Sequence, residues 1–156
     1  GDKVACKTCN REYQYLATKE LKGVGFDSQF RFVNDWYEYQ KDFVNKLDIN
    51  EYIDQPMYSE QASFSEVIVY KNKKMIRKNA VVELYGDRVL IDDNVFPFAE
   101  ITAASVLGRN KLNIYHDKKV YQLKGNKRFN AIKYVHMYYR YKNVNKGEGN
   151  EQFLGL

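Results

Sequence analysis

"FSEVIVYKNKKMIRKNAVVELYGDRVLIDDNVFPF", residues 64–98, decides the fold. Four runs rich in β-branched and aromatic residues are separated by "KNKK", "GD" and "DN". Those connections are too short for helical crossovers, so consecutive runs must pair as antiparallel hairpins. Val82 and Leu84 alternate with Glu83 and Tyr85, the two-residue period of a strand with one face on a core. The same grammar continues through "ITAASVLG" (101–108), "LNIYH" (112–116) and "VYQLKG" (120–125), joined by "GRNK" and "HDKK". Then the period changes. In "RFNAIKYVHMYYRYKN" (128–143), Phe129, Ile132, Val135 or His136, and Tyr139 fall on one helical stripe, with Lys133, Arg140 and Lys142 nearer solvent. Seven hairpin-linked strands and one closing helix predict an α+β, mainly β fold. The expected form is a pleckstrin-homology-like antiparallel barrel, or a pair of orthogonal sheets, with the C-terminal helix over one opening. This is an expectation of shape and assigns no function.

Upstream, the pattern is different. "CKTCNREYQYLATKELKGVGF" (6–26) reads as a small ribbon closed by glycine turns. "DSQFRFVNDWYEYQKDFVNKLDI" (27–49) carries Phe32, Trp36, Tyr39 or Gln40, Phe43 and Leu47 at helical spacing, with Asp27 or Ser28 as candidate caps. Burial of Phe32, Trp36 and Phe43 against the ribbon or the barrel is expected. Residues 48–63 are acidic, contain Pro56 and lose periodicity, so they read as a linker or a short broken helix. Charge follows the division: residues 1–60 carry eight Lys/Arg against eleven Asp/Glu, and residues 61–156 seventeen against nine. Two regions are therefore expected, 1–60 and 61–156, and only the second suits an anionic partner.

Composition excludes several classes. An apolar share of 44% with 29% charged residues is globular rather than disordered. No window approaches eighteen apolar residues, so no spanning helix is expected. Two cysteines and no others make a disulfide framework improbable and favour a reducing, cytoplasmic setting. Gly1 followed by charge reads as a processed start, which predicts a piece of a longer chain. The sequence has no G-x-S-x-G elbow, no Walker loop and no H-E-x-x-H. "GVGF" lacks the surroundings of a nucleotide cradle and reads as a turn, as does the carboxylate pair Asp92 and Asp93. His116 reads as an exposed strand end and His136 as a packed helix residue.

Two features remain. Cys6 and Cys9 have the spacing of half a zinc site, whereas zinc takes four ligands; no cofactor is expected unless zinc finds its other ligands elsewhere. The basic runs place Lys71, Lys73, Lys74, Arg77 and Lys78 in one stretch, with Arg109, Lys111, Lys118 and Lys119 at later turns. If these turns share one mouth of the barrel, they form a surface for anionic lipid headgroups. Solvated turn lysines that protect sheet edges are the plainer reading. Nucleic acid is disfavoured, because the aromatics fall at core periodicities rather than between the charges. No exposed amphipathic segment offers apolar insertion.

The segments "CKTCN", "FRFVNDWYEYQ", "VFPFAEIT", "SVLGRNKLNIY", "YQLKGNKRFNAIKYVHMYYR" and "FLGL" resemble the C-terminal extension of a bacterial, clostridial-type subset of 1-acyl-sn-glycerol-3-phosphate acyltransferases. The resemblance implies a noncatalytic accessory domain of a membrane phospholipid-synthesis enzyme, at the inner face of the membrane, with the parent's catalytic domain as partner. It also implies that the parent is an acyltransferase. In that family a histidine is followed five residues later by an aspartate. Here Tyr121 follows His116 and Tyr141 follows His136, so no catalytic residue carries over. A protein-interaction module without a lipid role is the alternative.

Overall fold

The computed structural model describes residues 2–6, 9–69 and 71–146. The chain divides into two compact units, Gly1–Lys46 and Leu47–Leu156. The closing "FLGL" and Tyr70 lie outside the described residues.

The first unit is a three-stranded antiparallel ribbon, β1 (Lys3–Ala5), β2 (Glu12–Tyr15) and β3 (Leu21–Gly23), followed by α1 (Val33–Asn45). "GVGF" is a turn, with Gly25 at φ +79°, where a side chain would be strained. Neither expected cap starts the helix. Ser28 is used in a local turn, its hydroxyl accepting from the Phe30 N–H at 3.1 Å. The helix entry is held instead by Asp35, whose carboxylate accepts from the Phe32 N–H at 2.8 Å and the Arg31 N–H at 3.0 Å.

Tyr13, Leu21 and Phe30 are buried. The Trp36 ring stacks on Phe30 at 5.8 Å and lies 5.7 Å from Tyr13. The expected burial of Phe32, Trp36 and Phe43 is corrected: no α1 residue is fully buried, and Phe43 is 58% exposed. A unit this small has too little apolar surface to cover a whole helix face. Truncating Trp36 to alanine should therefore cost about 2 kcal/mol, near half of what a fully buried aromatic loses. Thermal unfolding followed by circular dichroism checks this, and a loss above about 4 kcal/mol would contradict the half-buried placement.

The second unit begins with a short 3-10 turn (Ile49–Tyr52) and continues as β4 (Tyr58–Val69), β5 (Asn72–Leu84), β6 (Arg88–Ile91), β7 (Asn94–Pro97), β8 (Ile101–Leu107), β9 (Lys111–His116), β10 (Lys119–Lys124) and α2 (Ile132–Lys146). One antiparallel sheet runs in the order β7-β6-β5-β4-β10-β9-β8. It curls into a half-barrel, and with its C-terminal helix this is a pleckstrin-homology-like fold. The seven strands are those the turn chemistry marked out.

The boundary moves from 60/61 to 46/47. Leu47 and Ile49 are buried, and the Gly86 N–H donates to the Tyr52 carbonyl at 2.8 Å. A Cβ on Gly86 would stand 2.1 Å from the Ile49 carbonyl oxygen, so glycine is what lets the two backbones meet. The acidic segment read as a linker is thus sewn onto the half-barrel.

Phe64, Val82, Leu84, Ile91, Leu112, Ile114 and Leu123 fill the core. In α2 the buried residues are not a stripe but the consecutive run Tyr134, Val135, His136, Met137 and Tyr138. Such encirclement requires partners for the phenols. Tyr138 donates to the Ile101 carbonyl at 3.0 Å, and Tyr134 to Glu60 at 2.6 Å. Two of the helix cations expected in solvent are engaged as well: Lys133 pairs with Glu60 and covers the Tyr58 ring at 4.2 Å, and the Arg140 Nε donates to the Leu47 carbonyl at 3.0 Å.

Burial, reinforced by the hydrogen bond to Glu60, pushes the Tyr134 phenol far above its usual range. In the unfolded chain it ionises near pH 10, whereas in the folded chain it holds its proton. Its contribution to stability is therefore complete below that pH and falls by about 1.4 kcal/mol per pH unit above it. Denaturant unfolding between pH 8 and 11 should show a shallower alkaline loss for Tyr134→Phe than for the wild type. Equal slopes would contradict the assignment.

Candidate functional site

β4 and β5 form the longest hairpin, paired from Tyr58 opposite Leu84 to Val69 opposite Asn72, with register shifts near Phe64 and Val67. The neighbouring strands stop short of its tip. β10 accompanies β4 only as far as Val120 opposite Val67, and β6 accompanies β5 only from Val82 to Leu84. The tip therefore projects as an arm. Its turn uses Lys71 in the left-handed region at φ 64°.

The arm carries exposed apolar side chains. Ile68, Val69, Met75 and Ile76 are each about half or more in solvent. Among them stand Lys73, Lys74, Arg77 and Lys78, also exposed. Arg77 is tied to Asp92 at 3.2 Å, and Lys73 donates to Gln122. Lys74 and Lys78 make no ion pair among the described residues.

Ladder register decides which later turns join the arm. Val120 lies opposite Val67 on one side and Tyr115 on the other, so the β9–β10 turn with Lys118 sits at the arm's end of the sheet. That turn has both Asp117 and Lys118 at positive φ, 47° and 60°, as a tight two-residue hairpin requires. Lys119 pairs there with Glu66 at 3.5 Å. Arg109 and Lys111 are at the opposite end. Lys111 faces Lys124, and the β8–β9 turn is stitched to Gly125 by the Asn110 side chain at 2.7 Å. Five of the nine, Lys71, Lys73, Lys74, Lys118 and Lys119, thus lie at the arm's end, whereas Arg77, opposite Phe64, and Lys78 after it lie at the root, level with Leu123 and Lys124. The five, with the nearby Glu66 and Asp117, leave a net charge of +3.

Sequence reasoning missed the exposed apolar residues, because "VIV" and "MI" read as core strand. It also missed the role of His116. Rather than standing free at a strand end, His116 packs edge-on to Phe96 at 5.3 Å and contacts Glu100 at 3.2 Å. Phe96 and Tyr121 meet Phe64 at 6.0 and 5.6 Å, forming an aromatic cluster within the half-barrel. Asp92 is a turn residue with a structural task, its carboxylate accepting from the Val81 N–H at 2.9 Å.

Cys6 and Cys9 lie in the β1–β2 loop, Cys6 half-buried and Cys9 exposed. No group of three His, Cys, Asp or Glu side chains able to hold a metal occurs among the described residues. Two thiols do not fit a closed tetrahedral zinc site.

No family model matches the sequence, and no curated protein matches it. The Vps36 N-terminal PH domain is similar at a TM-score of 0.44, with 13% identity over 59% of this chain and 82% of that one. The N-terminal PH domain of human ARAP2 is similar at a TM-score of 0.42, with 10% identity over 62% of this chain and 90% of that one.

The transferase assignment implied by the sequence resemblance is corrected. The second unit is a pleckstrin-homology-like fold, and neither histidine stands in that family's histidine–aspartate spacing. Of its two histidines, His116 is held in the aromatic cluster and His136 is buried in α2. No helix among the described residues is long and apolar enough to cross a membrane.

Proposed function

We propose that the second unit is a membrane-surface module whose β4–β5 arm docks on anionic lipid. One observation carries this reading: Ile68 and Val69 at the tip, and Met75 and Ile76 further along, are exposed on the same β4–β5 hairpin that holds Lys73, Lys74, Arg77 and Lys78. Exposed apolar residues ringed by cations match an interface in which the apolar tip enters the headgroup boundary and the cations meet phosphate. This replaces the expectation of headgroup attraction without insertion. The inner, anionic face of a cytoplasmic membrane is the proposed surface, and any further domain of the parent chain would be held there.

Sedimentation with vesicles tests the reading. The chain should pellet with phosphatidylserine-containing vesicles and not with pure phosphatidylcholine, and binding should weaken as salt shortens the screening length. Equal binding to both vesicle types, or to neither at low salt, would overturn it. In the second case a protein partner becomes the better reading of the same arm.

A further inference from the structure

The arm has a second property, which resides in its backbone. β5 runs from Asn72 to Leu84, yet β6 covers its outer edge only at Val82–Leu84, and Asp92 adds one pair of bonds at Val81. From Asn72 to Asn79 no described strand lies on that edge, and all eight residues are exposed. Main-chain N–H and C=O groups along such an edge form a template for another strand.

We propose that this edge takes an extended acidic peptide segment of a partner protein as an additional strand. Length and charge both point to it. Eight residues span roughly 25 Å, enough for a six- to eight-residue strand. An added strand would lay its side chains beside Lys73, Lys74, Arg77 and Lys78, with Met75 and Ile76 between them. Opposite charges across a strand pair stabilise it, and like charges oppose it. A second copy of this chain is therefore a poor occupant, because pairing two β5 edges would bring eight cations together. A segment alternating acidic and apolar residues meets both the cations and the apolar pair. The main-chain bonds supply affinity, and the side chains supply the choice of partner. This inference rests on the unpaired backbone and does not depend on lipid binding.

The experiment uses the full chain without lipid. The probes are a labelled nine-residue peptide of alternating glutamate and valine, and a glutamate–proline repeat of equal charge. Proline removes main-chain donors while the charge is kept, so the first peptide should bind at least tenfold more tightly by fluorescence anisotropy. Hydrogen exchange should slow at the outward-facing, alternate amides between Lys73 and Asn79 with the glutamate–valine peptide alone. Lys74→Glu/Lys78→Glu should weaken binding by tenfold or more. Equal affinity for the two peptides would reduce the effect to unstructured charge attraction and overturn the proposal. So would the absence of binding, or binding without protection of those amides. Protection of the same amides by self-association, with no peptide present, would assign the edge to a second copy instead. Failure of the vesicle experiment would leave each of these outcomes readable.

Discussion

Lys74→Glu/Lys78→Glu lowers binding to phosphatidylserine-containing vesicles about 100-fold at low salt. Each cation close to an acidic surface contributes about 1 kcal/mol, so reversing two swings the attraction by up to about 4 kcal/mol before screening. Screening brings this nearer to 3 kcal/mol, which is about 100-fold. These two lysines are the informative pair, because Lys73 is engaged by Gln122 and Arg77 by Asp92, so reversing either would also disturb the fold. Arg109→Glu/Lys111→Glu makes the same change in net charge on β9 and the turn before it, three strands across the sheet from β5. It should weaken binding less than threefold if the arm is the docking element. Comparable losses from the two double variants would show that net charge alone drives the attraction. Ile68→Ser/Val69→Ser should abolish the binding that persists at high salt and leave circular dichroism unchanged.

Phe64→Ala should cost the second unit about 3–5 kcal/mol, the range for removing a buried aromatic ring. Phe64 is 1% exposed. It lies opposite Leu123 on β10, meets Phe96 and Tyr121, and faces Arg77 where the β4–β5 register shifts. The ring therefore fills the core at the root of the arm. In a unit of this size the loss lowers the melting temperature by roughly 10–20 °C. Ile68→Ala, at the exposed tip, should cost less than about 0.5 kcal/mol. Calorimetry on the two variants checks the contrast. Similar small losses would mean that Phe64 does not anchor the arm.

His116 illustrates where reading along the chain stops. Its position at the end of "LNIYH" was legible, but its two contacts come from Phe96 and Glu100, which lie before β8. Nothing in the spacing of "YHDKK" carries that information. The same holds for Glu60, which was read as part of an acidic linker and instead anchors Tyr134 and Lys133 of α2. In the first unit the amphipathic period of α1 was plain in the sequence, yet periodicity marks only which side is apolar. How much of that side is covered depends on the partner surface available.

Local chemistry was enough to determine the strands, their antiparallel pairing, the closing helix and hence the half-barrel. Hairpin turns leave one way for neighbouring strands to pair, and a two-residue alternation fixes which face goes inward. Tertiary structure alone decided which basic residues share a surface and which apolar residues stay in water. Arg109 and Lys118 look alike as turn cations, but the length of β9 puts them at opposite ends. Ile68 and Val82 look alike as strand residues, but only Val82 has a strand on each side of it and a core beneath. A residue's own segment sets its direction along the strand. Whether that direction ends in core or in solvent is set by how far the neighbouring strands extend.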